Sequence, residues 1–108
     1  MAALHVSPEA REDLRDIMEY ISAELANPSA AQGVVAKIIK AMRGLGQFPD
    51  SGTQLSSVLE LHTDYRFVPS GNYLVFYRHL GEEVYIVRVL YGRRDYMRIL
   101  FGEQAEDE

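Results

Sequence analysis

Six arginines, Arg66, Arg78, Arg88, Arg93, Arg94 and Arg98, supply all the Lys and Arg charge between residues 61 and 102, with tyrosines interleaved among them. A guanidinium binds phosphate or carboxylate through a planar, bidentate fork. Arg alternating with Tyr also suits a nucleic-acid surface, where bases stack on rings and phosphates meet cations. Tyr is equally a good strand former, so the pattern has a purely structural reading as well. Other reactive groupings are missing. The chain has no Cys, which excludes thiol nucleophiles, disulfides and Cys-ligated metals. His5, His62 and His79 lack ligand-pair spacing, so no metal site is expected. Phosphate-loop, dinucleotide, zinc-protease and nucleophile-elbow motifs are absent, and no cofactor is expected.

The elements that position these residues can be read from periodicity. Ala3-Leu4-His5-Val6 reads as a first strand. Ser7 is a good N-cap, Pro8 suits the first helical position, and Glu9 lies where the helix dipole favours an anion. Ala10, Leu14, Ile17, Met18, Ile21 and Leu25 then recur at helical spacing, predicting a helix over 8–25. Asn27-Pro28 breaks it and can cap the next. Ala31, Val34, Val35, Ile38, Met42 and Leu45 form a second stripe, ended by Gly44 and Gly46, with Gly33 marking a close approach to the first helix. The short connection predicts an antiparallel helical hairpin.

Residues 47–62 combine the turn-rich Phe48-Pro49-Asp50-Ser51-Gly52 with an ill-defined run. Three strands follow, Tyr65–Val68, Tyr73–His79 and Val84–Tyr91, joined by short turns into a meander. Residues 93–101 read as a short helix or an extended arm. Strict alternation places Arg88 with Val84, Ile86 and Leu90, opposite Tyr85, Val87, Val89 and Tyr91. Both faces of this strand are largely apolar, so it reads as central and Arg88 needs a partner. Two readings stay open: an ion pair with Asp64 or Asp95, or an anion-binding sheet face for phosphate or an acidic partner. The resulting β-α-α-β-β-β order predicts a two-layer α+β domain, an antiparallel sheet packed on the hairpin.

With 108 residues there is room for one domain, placed at 1–102, and 47% hydrophobic content supplies a core. The net charge of −5 is unevenly spread, with −3 over residues 1–60, +2 over 61–102 and −4 over the tail 103–108, which is expected to be disordered. Overall acidity therefore does not exclude an anionic partner. No run is long and apolar enough to span a membrane and no signal peptide opens the chain, so a cytoplasmic protein without membrane contact is expected.

Phe48-Pro49 with Gly52, Tyr65-Arg66, Tyr73 through Tyr77-Arg78, and the run Val87-Arg88-Val89-Leu90-Tyr91-Gly92-Arg93-Arg94-Asp95 together resemble the RelE/ParE superfamily of type II toxin–antitoxin toxins. The likeness extends from residue 3 to about 102. It implies the RelE/ParE-like fold, a toxin neutralised by a cognate antitoxin, and a role in plasmid stabilisation. The superfamily has two branches. ParE-like members bind DNA gyrase and inhibit it without being enzymes. RelE-like members enter the ribosomal A site and cut mRNA without a metal, as endoribonucleases.

In the nuclease branch, the 2′-hydroxyl attacks the neighbouring phosphate, which calls for a base, a positive charge and an acid. Arg66 and Arg88 would then hold the phosphate, and Tyr96 or His62 would move protons. Residues 44–64 hold no Lys or Arg, and an acidic chain is ill suited to docking on ribosomal RNA. The Gly-Arg-Arg-Asp ending and the long hairpin resemble the ParE branch, which is favoured here. In that branch no catalytic residues are expected, and Arg88, Arg93, Arg94 and Tyr96 would contact the target. A non-toxic member that only binds its antitoxin is the third reading. The antitoxin is expected to offer an acidic segment that folds on binding, its helix against the hairpin and an extended stretch near the sheet.

Overall fold

The computed structural model describes residues 1–60, 62–92 and 96–102. Arg93, Arg94 and the acidic tail lie outside the described residues. The elements are β1 (Ala3–Val6), α1 (Pro8–Leu25), α2 (Pro28–Gln47), β2 (Thr53–Gln54), a 3₁₀ turn (Leu55–Ser57), β3 (Tyr65–Ser70), β4 (Tyr73–Leu80), β5 (Glu83–Tyr91) and α3 (Tyr96–Phe101). No helix among the described residues is long and apolar enough to cross a membrane.

Both long helices start where their caps predict. The Ser7 hydroxyl accepts from the Ala10 amide at 2.9 Å, and the Asn27 side chain accepts from the Ala30 amide at 3.2 Å. Between the helices Ala26 adopts φ +48°, the left-handed conformation that reverses the chain. The glycines of α2 depart from expectation. The helix continues through Gly44 and Gly46 to Gln47, and Gly44 accepts from the Phe48 amide at its end. A Cβ on Gly33 would meet nothing within 4 Å, so no close approach explains it. Gly46 instead backs onto the N-terminus, where its carbonyl accepts from the Ala2 amide at 2.8 Å.

The sheet order is β1-β5-β4-β3-β2. The β3-β4-β5 meander is antiparallel as predicted, whereas β1 pairs parallel with residues 83–86 of β5, making the sheet mixed. β3 runs on through Pro69, where β2 no longer covers its outer edge and a missing amide costs little. One sheet face packs Val75, Tyr77, Val84, Ile86 and Val89 against the α1 and α2 stripes. The other carries a second, smaller core of Leu55, Phe76 and Leu90, covered by Leu59 and by Tyr96, Ile99, Leu100 and Phe101 around α3. The domain thus has a partial third layer beyond the two predicted.

The alternation expected along β5 is broken. Tyr77 opposes Ile86 while Phe76 opposes Arg88, so Val87 is an extra residue without a partner, a β-bulge. Beyond it the faces exchange. Val84, Ile86 and Val89 share the hairpin core, and Leu90 joins Phe76 on the other side.

Candidate functional site

The bulge determines where Arg88 goes. β1 ends at Val6, leaving the edge of β5 uncovered after Ile86, and α1 takes over there. Ser7 donates its hydroxyl to the carbonyl of Val87 at 2.7 Å. Asp13 accepts from the Val89 amide at 2.9 Å and binds the Arg88 guanidinium through two bonds of 2.8 Å. The expected ion pair exists, with a different partner. Asp64 pairs with Arg78 instead, and Asp95 lies outside the described residues. Asp13 occurs at i+3 from Ala10 and i−4 from Ile17, inside the apolar stripe of α1. An acid in that stripe was the available signal, because a buried carboxylate requires a cation or amide donors. The Asp13 side chain is 10% exposed and that of Arg88 25%. The hydrogen bond to Asp13 raises the guanidinium pKa further, aided by the charges of Asp13, Glu9 and Glu12 and opposed by burial.

Arg88 also borders a cleft of about 300 Å³ with His5, Tyr85 and Ile99. His5 stacks on Tyr85 with ring centroids 4.9 Å apart and bonds Glu83 at 2.6 Å. Tyr96 packs its ring 5.2 Å from that of Phe76, the residue opposite Arg88. Arg88 and Tyr96 therefore flank one aromatic side chain, and the chain connecting Gly92 to Tyr96 carries Arg93 and Arg94.

Arg66 belongs to a different assembly. Its guanidinium donates to the carbonyls of Asp50 and Gly52 at 3.3 and 3.0 Å, clamping the turn after α2. Tyr77 secures the same turn from below, donating to the Pro49 carbonyl at 2.7 Å and accepting from the Gly52 amide at 3.0 Å. Burial pushes the Tyr77 phenol pKa up although the Gly52 amide opposes it. His79 adds a 2.8 Å bond to the Asp50 carboxylate, which is held below its ordinary pKa chiefly by that bond. Gly52 is obligatory here, since a Cβ would lie 2.6 Å from the Tyr77 hydroxyl and 2.8 Å from the Phe67 carbonyl. His62 is exposed on the segment before β3, so the four residues of the nuclease reading lie on four different segments, Arg66 on β3, Arg88 on β5, Tyr96 on α3 and His62 in a loop.

A second concavity, missed in the sequence, is a groove of about 800 Å³ between α1, the β3–β4 turn and the end of β5. Ile17, Ile21, Val34 and Val89 contribute to its apolar lining, and Tyr20, Tyr73 and Tyr91 line it too. Among the described residues, no group of three or more His, Asp or Glu is placed to hold a metal ion.

Comparison with known proteins places this architecture. The family model described as the ParE toxin of the type II toxin–antitoxin system, parDE, matches residues 4–96. No curated protein matches the sequence. Among solved structures, a chain of the chromosomal ParDE toxin–antitoxin system from P. aeruginosa superposes with a TM-score of 0.71 at 22% identity, covering 84% of this chain and 96% of that one. The fold is shared, and with the family model spanning β1 to the start of α3, the chain belongs to the ParE toxin family of type II toxin–antitoxin systems.

Proposed function

We propose that this protein inhibits DNA gyrase in the cytoplasm and is held inactive by a cognate antitoxin, a pairing that would serve plasmid stabilisation. The match of residues 4–96 to the ParE family carries this reading. The site geometry supports it over mRNA cleavage. Both arginines that would hold a scissile phosphate are engaged internally, Arg66 by turn carbonyls and Arg88 by Asp13. In this reading Arg88, Arg93, Arg94 and Tyr96 form the target-binding arm at the end of β5.

The test is a supercoiling assay with purified gyrase beside an mRNA-cleavage assay in a translating extract. Supercoiling should fall in proportion to added toxin while mRNA stays intact. Persistent supercoiling at large toxin excess, with mRNA cut in the ribosomal A site, would replace this reading by the nuclease one. Inertness in both assays, with antitoxin still bound, would leave a binding-only member.

A further inference from the structure

An acidic antitoxin segment was expected because arginines crowd the C-terminal half. In the folded chain, however, Arg66, Arg78 and Arg88 already meet Asp50 and turn carbonyls, Asp64, and Asp13 respectively. The uncompensated charge lies elsewhere. Helix α1 holds six acids, Glu9, Glu12, Asp13, Asp16, Glu19 and Glu24, against two bases, Arg11 and Arg15. Two of these acids, Asp16 and Glu24, line the 800 Å³ groove, are exposed and make no ion pair among the described residues. Lys37 of α2 is the cation on the opposite wall.

The same groove gathers three tyrosines from three elements. Tyr73 and Tyr91 face each other across the β4–β5 pair, ring centroids 5.8 Å apart and edge to face. Tyr20 lines the same groove from α1 and is 63% exposed. Burial, followed by the neighbouring hydroxyls of Tyr20 and Tyr91, raises the Tyr73 phenol pKa, so Tyr73 is neutral at physiological pH. Neutral phenol rings present a negative face, and carboxylates beside them deepen the potential well for a cation.

Building on the toxin–antitoxin reading, we propose that the Tyr20-Tyr73-Tyr91 cluster, with Asp16 and Glu24, is a cation-binding box that receives a Lys or Arg side chain of the antitoxin. The apolar floor of Ile17, Ile21, Val34 and Val89 takes the aliphatic residues beside that anchor. The segment seated in this groove is thus basic and apolar, opposite in charge to the one expected from the arginines.

The experiment has two arms. In the first, N-acetyl-arginine amide is titrated into the full chain and the aromatic resonances are followed by NMR, with the neutral N-acetyl-citrulline amide as control. The Tyr20, Tyr73 and Tyr91 rings should shift saturably with the arginine compound and at least fivefold more weakly with the citrulline one, while Tyr85 on the other sheet face stays fixed. Absent shifts, or equal shifts with both compounds, overturn the box. In the second arm, the antitoxin encoded in the adjacent reading frame is bound to Tyr20→Leu, Tyr91→Leu and Glu24→Lys variants, with Tyr85→Leu as control. The first three should bind roughly tenfold more weakly, as expected for a lost cation–π and charge contact. Wild-type affinity in all three overturns the anchor and leaves the toxin–antitoxin reading intact. Failure of any neighbouring protein to bind or neutralise the chain, with arginine still captured by the tyrosines, overturns the antitoxin reading and upholds the cation site.

Discussion

Arg88 separates two demands that a sequence presents as one. Its guanidinium is held by two bonds to Asp13, and the remaining strand amide of Val89 uses the same carboxylate. Arg88→Gln would leave that carboxylate buried with one donor. The expected loss is about 3 kcal/mol, the low end for a broken buried pair because the guanidinium retains some solvent contact. Chemical denaturation measures it, and adding Asp13→Asn should return part of the loss, since the double variant removes the stranded charge. Equal stability of Arg88→Gln and wild type would show the pair to be incidental. The exposed Arg78–Asp64 pair behaves differently. The bond to Arg78 holds the Asp64 carboxyl below its ordinary pKa of 3.8. A depressed carboxyl contributes stability that is present above its unfolded pKa and lost as pH falls through the folded one. Asp64→Asn should therefore melt at most a few degrees below wild type at pH 6, as befits a surface pair worth ~0–1 kcal/mol. The two curves should converge below pH 4. A gap that widened on acidification would contradict the assignment.

Among the elements, the helices were legible because their start signals are local. Ser7-Pro8 and Asn27-Pro28 place a cap and a preset φ in adjacent residues, and α1 and α2 begin at those prolines. The meander was legible for the same reason, its turns bearing Gly71 and Gly81 at φ +58° and +61°. The bulge was not. One extra residue is invisible in a strand whose two faces are both apolar, because Val87 and Val89 look alike until β4 fixes the register. The partner of Arg88 was hidden by the same register, 75 residues away on α1. The turn after α2 was half legible: Phe48-Pro49 and Gly52 signalled it, but Tyr77, 25 residues on from Gly52, determines its geometry. Two variants test these non-local features. Deleting Val87 keeps Ile86, Arg88 and Val89 opposite Tyr77, Phe76 and Val75 and so leaves the core faces intact. It removes the carbonyl that accepts from Ser7, so the protein should fold cooperatively but lose about 0.5–1.5 kcal/mol. Tyr77→Phe leaves the Gly52 amide and Pro49 carbonyl without their partner and should cost about 1–3 kcal/mol with the fold retained. Wild-type stability in the Val87 deletion would show the bulge to be dispensable.

At the scale of the molecule, the two sheet faces carry different tasks. One is sealed by the hairpin, while α3 lies over the other with no fully buried residue, although Phe76 and Leu90 beneath it are buried. Arg93 and Arg94 follow β5 and precede α3 in sequence, and Arg88 of β5 borders a cleft with Ile99 of α3. If this junction is the gyrase-binding arm, it should dissociate function from folding. Arg93→Gln and Arg94→Gln keep a polar side chain and remove the charge, so they should melt within a degree or two of wild type, yet lose most toxicity and supercoiling inhibition. Arg88→Gln should lose both stability and inhibition because its charge borders the cleft while anchoring α1. Tyr96→Leu retains apolar cover over Phe76 and loses only the ring and hydroxyl, so any fall in inhibition beyond its fall in stability assigns Tyr96 to the target. Melting curves and supercoiling titrations on the same four proteins decide the matter. Undiminished inhibition in both the Arg93 and Arg94 variants would remove this junction from the mechanism and move the search for the gyrase contact to the rest of the surface.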